Sequence, residues 1–345
     1  MFEEFGFETL TAPQAVVWFA LALGLAFGAL AQITRFCLRR ALVGEDRKQA
    51  AGVWLTALAV AVLGTQAAVA QGWIDFGDHR FMAADMPVLA IVVGGLMFGV
   101  GMVLTRGCIS RLTVLTASGN LRALTVVVIF AITAHAALKG VLSPLRTTLG
   151  SVTLPVDSAA LPGNPLIWTA VIAAAALLFA LRSGNRPGML ALAAVIGLLV
   201  PLGWVGTGFL LYDDFDPIAM ESLAFTSTMT ESLFFTVAST AIPAGFGVGL
   251  VGGVLLGGLT AALLSGGFRW QSFSTPAETG RYLAGGALMG FGGVIAGGCT
   301  VGAGLSGIPT LSMAAILAVA AMAVGALATN RALNAVPAAR PHPAE

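Results

Sequence analysis

Charged residues are what this chain has least of: Asp, Glu, Lys and Arg make up 10% of its 345 residues, against roughly 25% in an average soluble domain. Hydrophobic residues make up 57%, and the mean hydropathy is +0.92. A soluble fold leaves too much of that apolar surface in water, whereas a bilayer accepts it. Cysteine is nearly as rare. Three residues, Cys37, Cys108 and Cys299, cannot build a disulfide framework, and none has the CxxC spacing of a metal or redox pair. The sequence shows no cofactor-binding motif and no metal-ligand set, and the lack of a GxxxxGK[ST] loop argues against a self-contained ATP-driven pump. At a net charge of +1 there is no long basic run to suggest nucleic acid. The N-terminal MFEEFGFETLTAPQ carries Glu3, Glu4 and Glu8 but no basic residue. That is the reverse of a cleaved signal peptide, so the first apolar stretch reads as a retained span.

What the chain has instead is a succession of apolar runs, at about 13–34, 50–70, 87–105, 122–142, 165–181, 188–206, 241–265, 281–297 and 310–329. They predict an all-α polytopic membrane protein, one integral membrane domain over residues 1–345, with about nine transmembrane helices. An odd number of spans puts the termini on opposite sides. Of 17 basic residues, 14 then share one side: Arg35, Arg39, Arg40, Arg47, Lys48, Arg106, Arg111, Arg122, Arg182, Arg186, Arg269, Arg281, Arg331 and Arg340. The positive-inside rule makes that side cytoplasmic, which predicts an outside N-terminus and a cytoplasmic tail at 330–345. Lys139 and Arg146 run against this trend.

Two of the cysteines follow one glycine-rich pattern. Residues 94–108 and 285–299 both read GG-x3-G-x-G-x5-GC, and seven of fifteen positions agree, including Gly107–Cys108 and Gly298–Cys299. The copies end spans three and eight, so they cross the membrane in opposite directions. This predicts an inverted internal repeat with halves at approximately 13–142 and 188–329, and inverted repeats place transporter sites near the midplane. ISRLTVLTASGN after Cys108 and TVGAGLSGIP after Cys299 are too short to cross and too apolar for ordinary loops. Two re-entrant helices entering from opposite faces would make an hourglass with a cysteine at each neck. Glycines there allow close backbone approach, and short-helix N-termini offer N–H groups to an anion. Cys37, in QITRFCLRRAL, lies among Arg35, Arg39 and Arg40, cations that attract an anion and also enforce topology.

With RFC at Arg35–Cys37, TRGC at Thr105–Cys108, GGC at Gly297–Cys299 and ESLAFTSTMTESLFF at Glu221–Phe235, the chain resembles the YeeE/YedE family of sulfur-compound transporters over roughly residues 15–329. The resemblance implies an hourglass of nine spans plus short inward-pointing helices. It also implies thiosulfate as cargo, a pathway on which Cys299, Cys108 and Cys37 act in turn, and a small soluble sulfurtransferase of the TusA type as partner. The expected function is therefore a permease, not an enzyme, in the bacterial inner membrane. Besides the surrounding lipid, its ligand would be thiosulfate or a related sulfur anion.

The residues suit that chemistry. Thiols are polarizable, weak donors matched to a soft terminal sulfur, while backbone N–H groups with Arg106 or Arg111 balance the sulfonate charge. Non-covalent passage is favoured, because no second cysteine adjoins any of the three in sequence to resolve an adduct. Three rivals remain open: a transporter of sulfite, persulfide or a selenium species; a membrane sulfurtransferase or redox protein carrying persulfide on its cysteines; and a structural membrane scaffold, in which all three cysteines would tolerate serine. His135 and Lys139, four apart, read as a bundle hydrogen bond and a snorkelling cation. Asp213, Asp214 and Asp216 read as a solvated loop. The hydroxyl-rich stretch 218–240 reads either as a vestibule lining or as an interfacial helix.

Overall fold

The computed structural model describes residues 10–156 and 158–335. Glu3, Glu4, Glu8, Arg340 and most of the expected tail lie outside the described residues. Thirteen α-helices account for nearly all of the secondary structure, the exceptions being short 3₁₀ and π segments and a two-residue pairing of β1 (Asp85–Met86) with β2 (Leu154–Pro155). The chain is an all-α polytopic membrane protein.

The long helices fall where the apolar runs predict: α1 (Ala12–Thr34), α3 (Arg47–Ala70), α4 (Val88–Leu104), α6 (Leu121–Lys139), α9 (Pro187–Val205), α11 (Phe246–Leu264), α12 (Pro276–Ile295) and α13 (Met313–Ala335). These eight are long and apolar enough to cross a bilayer, α4 being counted together with the helix that follows it as one stretch, Val88–Ala117. A ninth, α8 (Pro165–Leu181), has 17 residues, about 26 Å at 1.5 Å per residue, slightly under the ~30 Å of a hydrocarbon core. Starts follow from local chemistry. Thr275 caps α12 by accepting the Glu278 N–H, Asn120 accepts from Ala123 ahead of α6, and Asn164 accepts from Leu166 ahead of α8. Proline opens α1, α8, α9 and α12, where its missing N–H costs nothing.

Contacts between helix ends define two faces. On one, Asn185 donates to Gln49, Leu121 to the Gln271 carbonyl, and Arg122 pairs with Glu278. This face gathers the arginines. On the other, Gln66 donates to Pro309, Ser312 to Phe81, and Leu161 to Leu311; it carries Asp75, Asp78, Asp85 and Glu221. We call them the basic and the acidic face.

Three short helices turn back into the bundle: α2 (Leu38–Val43) and α5 (Ile109–Ala117) from the basic face, and a π-helix, Thr300–Gly307, from the acidic face. Every residue of the π-helix is buried. Room for them comes from glycine-to-backbone packing of the long helices, the small-xxx-small device of membrane bundles. On α1, Gly24 and Gly28 abut the backbone of Leu250 and Val254, while Gly249, Gly253 and Gly257 of α11 abut that of Val17, Leu21 and Leu25. Helices α4 and α12 cross antiparallel. A Cβ on Gly101 would lie 2.5 Å from the Gly285 carbonyl oxygen, and one on Gly292 would lie 2.6 Å from that of Gly94. Exchanging each residue for its counterpart in the other glycine–cysteine copy turns the first contact into the second.

Candidate functional site: a row of buried thiols

All three cysteines occupy one backbone motif. A long helix ends, a residue two positions before the cysteine takes the left-handed region, and the cysteine becomes the extended N-cap of a short helix. The left-handed residues are Arg35 (φ 53°), Arg106 (φ 59°) and Gly297 (φ 79°). Cys37 caps α2, Cys108 caps α5 and Cys299 caps the π-helix. The motif turns the chain back sharply and points the first N–H groups of each short helix toward the thiol, where a helix N-terminus favours negative charge. Glycine takes φ > 0 at no steric cost, whereas a side chain there is strained by about 1–2 kcal/mol. Arg35 and Arg106 carry that strain.

The sulfurs are buried and connected. Cys37, Cys108 and Cys299 are 6%, 1% and 0% exposed. Cys37 Sγ lies 3.6 Å from Cys108 Sγ, which is 3.3 Å from the Ser110 hydroxyl. The Thr300 hydroxyl approaches Cys108 without completing a hydrogen bond and has no other partner. The preceding residue, Cys299, accepts the Gly302 N–H at 3.3 Å. Cys37 and Cys108 thus touch, and Cys299 is linked to them through its chain neighbour Thr300, whose hydroxyl approaches Cys108. Orphaned hydroxyls in a dry core cost about 1–3 kcal/mol each. Thr300 and Thr226 both hold one, and the Trp54 indole N–H is also buried without a partner, beside Gly304 of the π-helix. Donors kept unpaired around a sulfur row suit a guest that accepts hydrogen bonds and leaves again.

At its basic end the row meets Arg111, whose guanidinium donates to the Ala31 carbonyl and to Gln32, both at 3.2 Å, within electrostatic reach of Cys37 and Cys108. At its acidic end Gly302 and Ser306 open into a vestibule of about 500 Å³ lined also by His79, Arg80, Trp204 and Glu221. Burial, with Arg80 beside it, pushes His79 down to about 4. Burial and the nearby Glu231 carboxylate push Glu221 up to about 7, with Arg80 opposing.

Of the residues expected from the sequence, the structure brings Cys37, Cys108, Cys299 and Arg111 together. Gly107 and Gly298 sit against the turn of each hairpin: a Cβ there would lie 3.1 Å from Leu112 and 2.9 Å from the Ala303 nitrogen. Arg106 is not with the thiols. It is exposed and lines a separate recess on the basic face with Arg122, Glu278 and Arg281. The expectation that no second cysteine adjoins Cys108 holds along the chain but not in space, where Cys37 is its neighbour. His135 packs its ring on Phe234, with centroids 5.2 Å apart, and Lys139 is exposed at the end of α6. The hydroxyl-rich stretch divides: Ser222 and Ser227 line the vestibule, and Ser227–Ala238 forms α10. Sequence reasoning missed Arg80, Glu221, Trp204 and Thr300. A signal for Arg80 existed, since it is one of only three basic residues left off the arginine side.

A bundle of apolar helices long enough to cross a bilayer, with three buried free thiols, is a multi-pass membrane protein. The chain belongs to the Sulphur transport family, whose profile matches residues 33–328, in agreement with the YeeE/YedE resemblance carried by the RFC, TRGC and GGC motifs. Two relatives are similar over most of their length. The thiosulfate transporter TsuA of Spirochaeta thermophila is 26% identical over 344 residues, covering 88% of this chain and 94% of the relative. The thiosulfate transporter TsuA of Escherichia coli K12 is 27% identical over 317 residues, covering 83% and 85%. The protein is a sulfur transporter of the membrane.

Proposed function

We propose that the protein imports thiosulfate across the bacterial inner membrane, entering at the acidic face and passing Cys299, Cys108 and Cys37 to reach the cytoplasm at the basic face. The observation that carries this reading is the set of three buried thiols lying between the vestibule and Arg111, with Cys37 and Cys108 in contact. Thiols contact the soft terminal sulfur, and Thr300, backbone N–H groups and Arg111 meet the sulfonate. In this reading α8 is the ninth span, thinning the bilayer locally or snorkelling its flanking residues. The N-terminus lies outside and the tail inside. The halves at approximately 13–142 and 188–329 are inverted copies, as the reciprocal Gly101–Gly285 and Gly292–Gly94 contacts suggest. A TusA-like sulfurtransferase would collect the cargo at the basic face.

The test is growth on thiosulfate as sole sulfur source, with labelled uptake, in cells lacking their own sulfate and thiosulfate importers. Expressed protein should restore both, and unlabelled thiosulfate should compete better than sulfite or a selenium oxyanion. Correct insertion without uptake would reject thiosulfate as cargo.

A second reading draws on the 3.6 Å Cys37–Cys108 contact. One thiolate would attack the outer sulfur of thiosulfate, the S–S bond would break and sulfite would leave with its electron pair, giving a persulfide next to a second thiol. Intact mass after exposure to thiosulfate separates the two. Simple passage predicts no added sulfur, and the covalent route predicts one sulfur atom retained.

A further inference from the structure

The vestibule holds a pair of opposite charges that neither the thiol row nor the family match explains. Arg80 is the one cation among its described lining residues. Its guanidinium lies 5.1 Å from the Phe81 ring centre, within electrostatic reach of both Glu221 and Cys299. It makes neither of the two ion pairs found among the described residues, which are Arg40–Asp46 and Arg122–Glu278. Glu221 is held in place by its backbone, which donates to the Thr207 hydroxyl at 2.9 Å and accepts from it at 2.8 Å, and its carboxyl makes no hydrogen bond among the described residues. Trp204 lines the same cavity, 3% exposed, with its indole N–H unpartnered.

We infer that Arg80 is the capture site for a divalent sulfur oxyanion on the acidic face, and that the Glu221 carboxylate competes with the anion for it, so that a proton on Glu221 opens the site. This rests on the transport reading above. With Glu221 ionised, the arginine is compensated and a negative charge stands at the entrance. With Glu221 protonated, Arg80 and the Trp204 N–H are free for the anion, and Arg80 is within electrostatic reach of Cys299.

The groups facing Glu221 are Arg80, His79, Asp75 and Asp78 from the 73–82 segment, Glu231 from α10, and Cys299 at the mouth of the π-helix. Among them His79, lowered to about 4, stays neutral from pH 6 to 8, while Glu221, at about 7, changes charge within that window. The sign follows directly. Protonated Glu221 prevails below pH 7, so capture is strong in mild acid and weakens as the pH rises. By linkage, anion binding near neutral pH takes up a proton.

The experiment is thiosulfate affinity of the purified full chain at pH 6, 7 and 8, by calorimetry in buffers of different ionisation enthalpy. Between pH 6 and 8 the protonated fraction of a group titrating near 7 falls about tenfold, and wild-type affinity should fall by about the same factor. Glu221→Gln should bind at the wild type's pH 6 strength throughout and lose the proton uptake. Arg80→Gln should weaken binding about tenfold or more at every pH, and Arg80→Lys should restore part of it. A flat wild-type profile, or an unchanged slope in Glu221→Gln, overturns the inference while leaving thiosulfate as cargo. No binding by folded wild type at any pH removes the cargo assignment and the capture site together.

Discussion

The two necks of the molecule share a backbone and differ in chemistry. At the acidic end a single thiol, Cys299, caps a fully buried π-helix and holds a backbone N–H. At the basic end two thiols from different hairpins touch, with Arg111 beside them. The same left-handed turn and N-cap build both, so the hairpin supplies position while the neighbours decide what the thiol does. In the transport reading proposed above, the lone thiol meets the guest on the vestibule side, and the paired thiols with Arg111 meet it on the basic side.

Removing the sulfurs has the largest expected effect. Replacing Cys108 by alanine deletes the thiol that touches Cys37 and that the Thr300 hydroxyl approaches, and uptake should fall to background. Cys299→Ala and Cys37→Ala remove terminal contacts and should cost about tenfold or more, equivalent to about 1.4 kcal/mol at the transport barrier. Labelled uptake at matched expression checks all three.

Next in size are the hairpin glycines. Gly298→Ala drives a methyl group into the Ala303 nitrogen, 2.9 Å away, and should unwind the start of the π-helix. Uptake should drop about tenfold, whereas Gly107→Ala, which meets only the Leu112 side chain at 3.1 Å, should be milder. The bundle itself offers a matched pair on α12. Gly285→Val collides with Thr105 and the Gly101 carbonyl and should destabilise by about 1–3 kcal/mol as an overpacked contact. Gly280, with no atom near its missing Cβ, should accept alanine and gain about 0.5–1 kcal/mol. Thermal midpoints in detergent distinguish them.

Smaller again is Arg106→Gly, which relieves a left-handed side chain and should leave stability equal or raised by up to about 1 kcal/mol. Since Arg106 lies in a separate recess, uptake should change less than twofold, and Arg111→Gln should be the more damaging of the two. The smallest effect is at the Arg40–Asp46 pair beside α2. Arg40 holds the Asp46 carboxyl below its usual range, so the pair contributes above the unfolded carboxylate pKa and is lost as the pH falls through the lowered folded value. With side chains 25% and 42% exposed, Asp46→Asn should cost about 0.2–1 kcal/mol at pH 7 and nothing in strong acid, as a pH series of melting curves would show.

Much of this was legible in the sequence because bilayer spans and glycine–cysteine repeats leave one-dimensional signals. The nine apolar runs match helices to within a few residues, and the two short segments after Cys108 and Cys299 are the turned-back helices expected. RFC pointed to Cys37 as a candidate but not to its contact with Cys108, because the two are 71 positions apart and are brought together where α5 packs against α1 and α11. Arg106 and Arg111 look equivalent in TRGCISR. Yet Arg106 takes the left-handed turn and faces away, while Arg111, on the first turns of α5, reaches the Ala31 carbonyl. The vestibule was the least legible part. Its lining comes from two connecting segments, the end of α9 and the π-helix, all distant in sequence, and Glu221 looks like any polar residue of an outer connection until Arg80 and Glu231 are placed beside it.

The most direct measurement is side-by-side labelled thiosulfate uptake for wild type, Cys37→Ala, Cys108→Ala and Cys299→Ala in cells lacking other importers, with membrane expression matched. A continuous thiol row requires all three variants to fail by about tenfold or more, Cys108→Ala most completely. Wild-type uptake by any one of them would contradict it.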